Sequence, residues 1–275
     1  MKSSNIGDLL VKEGKITQAE AEKILQLQQQ QGLRFGEAGK ASKLISEKDI
    51  QHALSQQFNF PFLTNTNSGL SQNLIAAYQP FSPQVETLRT IRSQLMLRWF
   101  HDDKKTLAIV SPNNTEGRSY FCANLAIVFA QLGQRTLLID ANLRQPCQHL
   151  LFNLGEGQGL SDFLANRVNT SVIRKILELP DLSILPAGTI PPNPLEIISR
   201  GLNNCLEELA LNYDVILLDT PAVSQGSDVQ LLARGASGAL LLARKHQTRL
   251  ADMEAMNAFL EKSSVVCVGA IINDF

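Results

Sequence analysis

TLAIVSPNNTEGRSYFCANLA, residues 106–126, decides the fold of this chain. Thr106–Ser111 is a short, continuous apolar run, the pattern of a strand buried on both faces of a parallel sheet. A polar turn follows, and from Arg118 the residues suit a helix. The same alternation then runs to the end. Further strands are expected at Arg135–Ala141, Leu182–Pro186, Val215–Thr220, Gly238–Arg244 and Val265–Asn273, with helical segments between them. Strands joined by helical crossovers build a parallel sheet covered on both faces, with right-handed connections. The expected architecture over residues 85–275 is therefore a doubly wound, mostly parallel α/β domain.

Upstream, the chain reads differently. Ile6–Gln28 (IGDLLVKEGKITQAEAEKILQLQ) aligns without a gap on Phe35–Gln57 (FGEAGKASKLISEKDIQHALSQQ), so that Gly7 matches Gly36 and Ile16 matches Ile45, an offset of 29 residues. Thr17 with Glu20, and Ser46 with Asp49, have the spacing of a capping box that opens a helix. Ala21, Ile24 and Leu25, then Ile50, Ala53 and Leu54, recur at helical spacing after each cap, and a short helix should precede it. A unit this short cannot bury its apolar face alone, so the two copies should share one core. The expected organisation is a small all-helical domain over 1–60, a linker over 61–84 with one helical turn, and the α/β domain, whose first helix spans Val85–Trp99.

Composition narrows the function. Of 275 residues, 44% are hydrophobic and 19% charged, ordinary for a globular protein. The net charge of −1 provides no global field for nucleic acid. Cys122, Cys147, Cys205 and Cys267 are dispersed, as are the four histidines, which argues against a zinc site or a disulfide framework. No apolar run has the length of a membrane span. A cytoplasmic protein is expected, reaching a membrane only through a partner.

The turn Ser111–Ser119 has the chemistry of an anion cradle. A loop between strand and helix turns backbone N–H groups inward, and the helix N-terminus adds positive potential. The candidate nucleotide-binding residues are Asn113, Asn114, Thr115, Glu116, Gly117, Arg118, Ser119 and Tyr120. Gly117 permits close approach of a phosphate, Arg118 carries charge, and Ser119 offers a hydroxyl to Mg²⁺. Compared with the P-loop pattern G-x-x-x-x-G-K-[ST], Pro112 stands at the first glycine and Arg118 at the lysine. Two further apolar runs, RTLLID and YDVILLD, end in Asp140 and Asp219, carboxylates at strand tips where open α/β sheets bind ligands. With Ser119 they are the candidate Mg²⁺ ligands. LPAGTIPPNP (Leu185–Pro194) is a stiff loop, read either as a rigid connection or as part of the site.

Taken together, these segments resemble the cytoplasmic domain of the bacterial tyrosine kinases that control capsular and exopolysaccharide chain length. The resemblance covers about Phe81 to the C-terminus. SPNNTEGRS is similar to that family's Walker A segment, LLIDANLRQP to Walker A′ (usually D-x-D-x-R), and VILLDTPA to Walker B. Glu86, Arg89 and Arg92 match E-x-x-R-x-x-R, which in the family joins subunits into a ring. The resemblance implies ATP and Mg²⁺ as cofactors, phosphoryl transfer to tyrosine with Asp140, Arg118 and Asp219 as catalytic residues, a homo-oligomer, and a membrane adaptor of polysaccharide export as partner. Three features depart from the pattern: Asn142 replaces the second A′ aspartate, Thr115 stands where glycine is usual, and the C-terminus VGAIINDF has no tyrosine cluster. Only Tyr78, Tyr120 and Tyr213 are present, and Tyr120 reads as a packed helix residue. A nucleotide-dependent scaffold with little transfer is the alternative. A partitioning-type P-loop ATPase is a third, disfavoured by Asn113 where those proteins carry an early lysine. The N-terminal repeats resemble the small N-terminal domain of secretion and pilus assembly ATPases. Some of those bind cyclic di-GMP through paired R-L-G motifs; here Arg34-Phe35-Gly36 keeps the arginine and Asn5-Ile6-Gly7 lacks it, so docking to a partner protein is favoured over the dinucleotide.

Overall fold

A computed structural model describes residues 6–57, 60–63, 68–101 and 103–274. Asn5 of the first repeat, part of the expected linker (64–67) and the terminal Phe275 lie outside the described residues. The chain divides into two compact units, Met1–Thr64 and Asn65–Phe275.

Among its described residues the first unit holds four helices: α1 (Ile6–Lys12), α2 (Gln18–Gln31), α3 (Phe35–Ala41) and α4 (Glu47–Gln57). The repeat is visible in its geometry. Thr17 and Glu20 form the expected capping box, with the Thr17 N–H donating to the Glu20 carboxylate at 2.7 Å and the Glu20 N–H to Thr17 Oγ1 at 3.3 Å. Ser46 and Asp49 repeat it, at 3.0 and 3.2 Å. Ile16 and Ile45, Ala21 and Ile50, and Ile24 and Ala53 occupy matching places in one shared core. Gly7 and Gly36 let neighbours approach: a Cβ at either would lie 3.1 Å from the Phe35 ring or 3.2 Å from Ile50. Leu25, expected inside, is 41% exposed because it falls just off the buried stripe of α2. The Arg34 backbone N–H caps against Glu37 at 2.9 Å.

The second unit is an α/β sheet. Its elements are α5 (Ile75–Tyr78), α6 (Pro83–Arg98), β1 (Thr106–Val110), α7 (Arg118–Ala130), β2 (Thr136–Asp140), α8 (Gln148–Leu151), α9 (Leu160–Leu164), β3 (Arg174–Lys175), β4 (Leu182–Leu185), α10 (Pro194–Ala210), β5 (Val215–Asp219), α11 (Asp228–Ala236), β6 (Gly238–Arg244), α12 (Leu250–Lys262) and β7 (Val266–Asn273). The strand order is β3-β4-β2-β5-β1-β6-β7, with β3 antiparallel to β4 and every other pair parallel. The six strands expected from the apolar runs are all present. β3 was not anticipated, because its two exposed basic residues carry no apolar signature. Ala108, Val110, Leu137, Ile139, Ile216 and Leu218 pack on α10 and α11, while α7 lies across β2 and β5.

Within the stretch read as a linker, the expected helical turn is α5, and it is packed rather than free. Leu74, Ala76 and Ala77 are fully buried. Asn124 of α7 and Gln131, which caps its C-terminus, hold the Ala76 backbone, accepting its N–H and donating to its carbonyl, both at 2.9 Å. No described helix is long and apolar enough to cross a membrane.

Candidate functional site

The site is built at the C-terminal ends of β1, β2 and β5, where strand termini meet the N-terminus of α7. The loop after β1 turns through two left-handed residues, Thr115 at φ +60° and Gly117 at φ +88°, and Gly117 is the N-cap of α7. Thr115 adopts this conformation despite its branched Cβ, a strain of about 1–3 kcal/mol that the surrounding bonds must hold.

Those bonds come from both sides. On one side, the Arg118 side chain is folded inward, 7% exposed. Its Nε donates to the Thr220 carbonyl at 3.0 Å, and Nη1 donates to the Asn113 carbonyl at 2.8 Å and to Ser111 Oγ. The guanidinium thus clamps the loop to the end of β5. Burial lowers its pKa, with Asp219 and Glu116 pulling the other way. On the other side, Glu116 is buried and accepts the Asn113 N–H at 2.9 Å and the Thr248 hydroxyl. Arg244 donates to the Thr115 carbonyl at 3.1 Å and Asn273 to the Glu116 carbonyl at 3.3 Å, so the ends of β6 and β7 fasten the loop. Asn114 and Thr115 form its exposed tip.

Facing the loop, Asp140 and Asp219 are direct register partners on adjacent parallel strands, and neither is accessible to solvent. Asp140 accepts the backbone N–H groups of Cys147 and Gln148, each at 2.9 Å, so it caps α8. Its pKa is pushed up to about 8, by burial first and the neighbouring Asp219 second, against three backbone hydrogen bonds. Burial also raises Asp219, while the Gln148 amide, the Ser119 hydroxyl and Arg118 draw it down. Asp219 Oδ2 accepts from Gln148 Nε2 at 2.7 Å; Oδ1 finds no hydrogen-bond partner among the described residues. Arg118 is the cation that acts on this pair, and its bonded donors go to the loop and to the Thr220 carbonyl, so that among the described residues one buried carboxylate oxygen has no donor. That donor set, with the Ser119 hydroxyl beside it, fits a hard divalent cation such as Mg²⁺.

The remaining candidates are placed as follows. Asn142 closes the turn after β2, accepting the Gln145 N–H at 3.1 Å and donating to the Gln145 carbonyl at 2.9 Å. Arg144 forks onto the buried Asp228 at 2.6 and 3.1 Å. Tyr120 is half-buried on α7, and burial raises its phenol pKa. On α6, Arg89 pairs with Glu86 within the helix at 3.0 Å, and Arg92 donates to the Val128 carbonyl of α7 at 2.7 Å. LPAGTIPPNP is anchored at Thr189, whose N–H and hydroxyl reach Asp162 of α9, each at 3.1 Å. Two residues of the site had escaped the sequence reading: Cys147 and Gln148 follow the second recognised motif but match no motif position, and only the fold brings them to Ser119 and the acidic pair.

No family model matches the chain. The tyrosine-protein kinase YwqD of Bacillus subtilis is 33% identical over 210 residues, which span 76% of this chain and 89% of YwqD. Among solved structures, the kinase domain of the Escherichia coli tyrosine kinase ETK superposes with a TM-score of 0.72 at 28% identity, covering 77% of this chain and 83% of that one. The chimerical protein CapA2B2 superposes with a TM-score of 0.69 at 30% identity, covering 83% and 98%.

Proposed function

The chain belongs to the bacterial tyrosine-protein kinase family, and from that premise we propose that it binds Mg·ATP at Asn113–Tyr120 and transfers the γ-phosphoryl group to tyrosine within a machinery that sets exopolysaccharide chain length and export. The observation that carries this reading is the in-register pair Asp140 and Asp219 at the mouth of the α7 N-terminus, with one buried carboxylate oxygen that has no hydrogen-bond partner among the described residues. Ser119 and Asp219 would hold Mg²⁺, with Asp140 beside them. When bound, the ion neutralises charge on the phosphate oxygens. The α7 N-terminus and the loop N–H groups bind the phosphates. The low dielectric around the two carboxylates strengthens every charge interaction in the site. Asp140 would position the ion or, once the ion favours its ionised form, accept a proton from the incoming hydroxyl.

The partners follow from the same family. A membrane adaptor of chain-length type would recruit the chain from the cytoplasm to the membrane. Head-to-tail contacts along α6 would close a ring, with Glu86 supplying exposed charge, the partly buried Arg89 paired to it, and Arg92 bracing α6 on α7. The helical unit is assigned to partner docking.

A second reading is favoured by one specific observation. Arg118, at the lysine position, already commits Nε and Nη1 to Thr220, Asn113 and Ser111, which holds the guanidinium against the loop. A scaffold that binds nucleotide to assemble, with little transfer, needs no cation free to follow the migrating phosphoryl group. Radiolabelled ATP separates the two. Label on protein tyrosine in the presence of the adaptor supports transfer; Mg²⁺-dependent ATP binding without label supports the scaffold. Absence of any Mg²⁺-dependent binding refutes both.

A further inference from the structure

Gln148 is the side chain of the site that neither the motifs nor the family resemblance explains. It opens α8 and is wholly buried. Its contacts converge on the acidic pair. The backbone N–H donates to Asp140 Oδ2 at 2.9 Å. The side-chain Nε2 donates to Asp219 Oδ2 at 2.7 Å and to the Ser119 carbonyl at 3.1 Å, so one amide group joins the start of α7 to the tip of β5. The other end of the same amide, Oε1, is buried and accepts no hydrogen bond among the described residues, and Asp219 Oδ1 shares that condition.

Two unpaired acceptors around one carboxamide are informative. Native folds satisfy nearly all buried polar atoms, and exceptions mark an absent ion, a water or a catalytic role. By engaging Oδ2, the amide selects Oδ1 as the carboxylate oxygen left over. A carboxylate oxygen seeks positive charge, and an amide oxygen seeks a donor. A hydrated divalent cation supplies both, through the ion and through water bound to it. A lysine or arginine at residue 148 could also hold Asp219, but its charge would compete with the ion; a neutral amide does not.

We propose that Gln148 is the positioning residue of the metal site: its NH₂ group holds Asp219 with Oδ1 presented to Mg²⁺, and its Oε1 accepts from water on the ion. This assignment rests on the reading of the loop as a Mg·nucleotide site. Gln148 touches no reacting atom; it acts through Asp219.

The test uses the full chain and Mn²⁺ as the spectroscopic probe. Mn²⁺·ADP binding is followed by electron paramagnetic resonance, and metal-free ADP binding by equilibrium dialysis, for the parent, Gln148→Met and Gln148→Glu. Gln148→Met keeps the length and apolar stem without the amide. It should weaken Mn²⁺ by about tenfold or more, the usual cost of losing an outer-shell partner, and leave metal-free ADP binding unchanged. Gln148→Glu replaces the donor with a third acid; its metal-free melting temperature should fall, and Mn²⁺ should restore it by more than it raises the parent's. A purely structural role predicts lower melting temperatures that Mn²⁺ does not repair, and it would overturn the proposal. So would Gln148→Met binding Mn²⁺·ADP as tightly as the parent, which leaves the site reading intact. If the parent itself fails to bind Mn²⁺·ADP, the site reading falls and takes the role of Gln148 with it. Should Gln148→Met fail to fold, the metal response of Gln148→Glu decides.

Discussion

Arg118 offers the sharpest test of how the loop is held. Replacing it with alanine removes three hydrogen bonds from a buried cation: to Thr220 at 3.0 Å, to Asn113 at 2.8 Å and to Ser111. Bonds from charged groups contribute about 1.5–3 kcal/mol each, but they are not additive. Water also re-enters the space of the lost side chain, so the total should sit near the cost of breaking a buried charged contact, about 3–5 kcal/mol. In a unit of about 200 residues each kcal/mol moves the midpoint by about 2–4 °C, so Arg118→Ala should melt roughly 6–20 °C below the parent. Arg118→Lys keeps the charge but loses the planar fork, and should forfeit about half of that stability. Its ammonium is also free to reach a phosphate, so Mg·ATP affinity and tyrosine labelling should rise above the parent while stability falls. Thermal melts by circular dichroism, paired with labelled-ATP binding and transfer, check both halves. An alanine variant that melts with the parent would refute the clamp. A lysine variant that binds ATP no better than the parent would refute the trade-off.

Three other outcomes are expected. Burial holds the pKa of Asp140 near about 8 and raises that of Asp219, so the folded chain binds these protons more tightly than the unfolded one. Their contribution is fully present below the unfolded carboxylate pKa of about 4, and it is lost as pH climbs through about 8. Melts in chelator should therefore show stability falling over that window, Mg²⁺ with nucleotide should flatten the fall, and Asp219→Asn should flatten it without metal. Gly159→Ala places a Cβ 2.1 Å from the Pro186 carbonyl and 2.5 Å from the Gly188 nitrogen, both backbone, and should cost at least about 1–3 kcal/mol in denaturant titration. Arg92→Ala removes the 2.7 Å bond to Val128 and should lower both the melting temperature and self-association by light scattering, whereas Glu86→Ala, at an exposed carboxylate, should change self-association more than stability.

Much of the α/β unit was legible because its signals are local. A parallel strand buried on both faces must be nearly apolar along its length, and the runs at Thr106, Thr136, Leu182, Val215 and Gly238 are; β7 has the same apolar run but is largely exposed at the end of the sheet. The helix caps at Thr17 and Ser46 are equally local, each spanning three residues, and both formed. The elements that escaped are those whose identity depends on neighbours. β3 is two exposed basic residues that become a strand only because β4 offers an edge. For α5 the helical turn was expected and only its packing escaped, because it is ordered by Asn124 and Gln131, which come much later in the chain.

The site divides along the same line. Asp140 and Asp219 announce themselves as acids ending apolar runs, and Gly117–Ser119 as a turn opening a helix; residue type and spacing suffice for these. That the two acids stand side by side depends on β2 and β5 being neighbours, a matter of strand order that no local pattern encodes. Arg118 reaches Thr220 across 102 residues of chain, and Gln148 reaches Asp219 across 71. Sequence by itself determined which side chains could bear charge at a strand tip, because backbone geometry and hydrophobic burial act over a few residues. Tertiary structure alone decided which partners those charges met, because long-range packing sets the contacts of a buried polar atom, and its burial makes each of those contacts consequential.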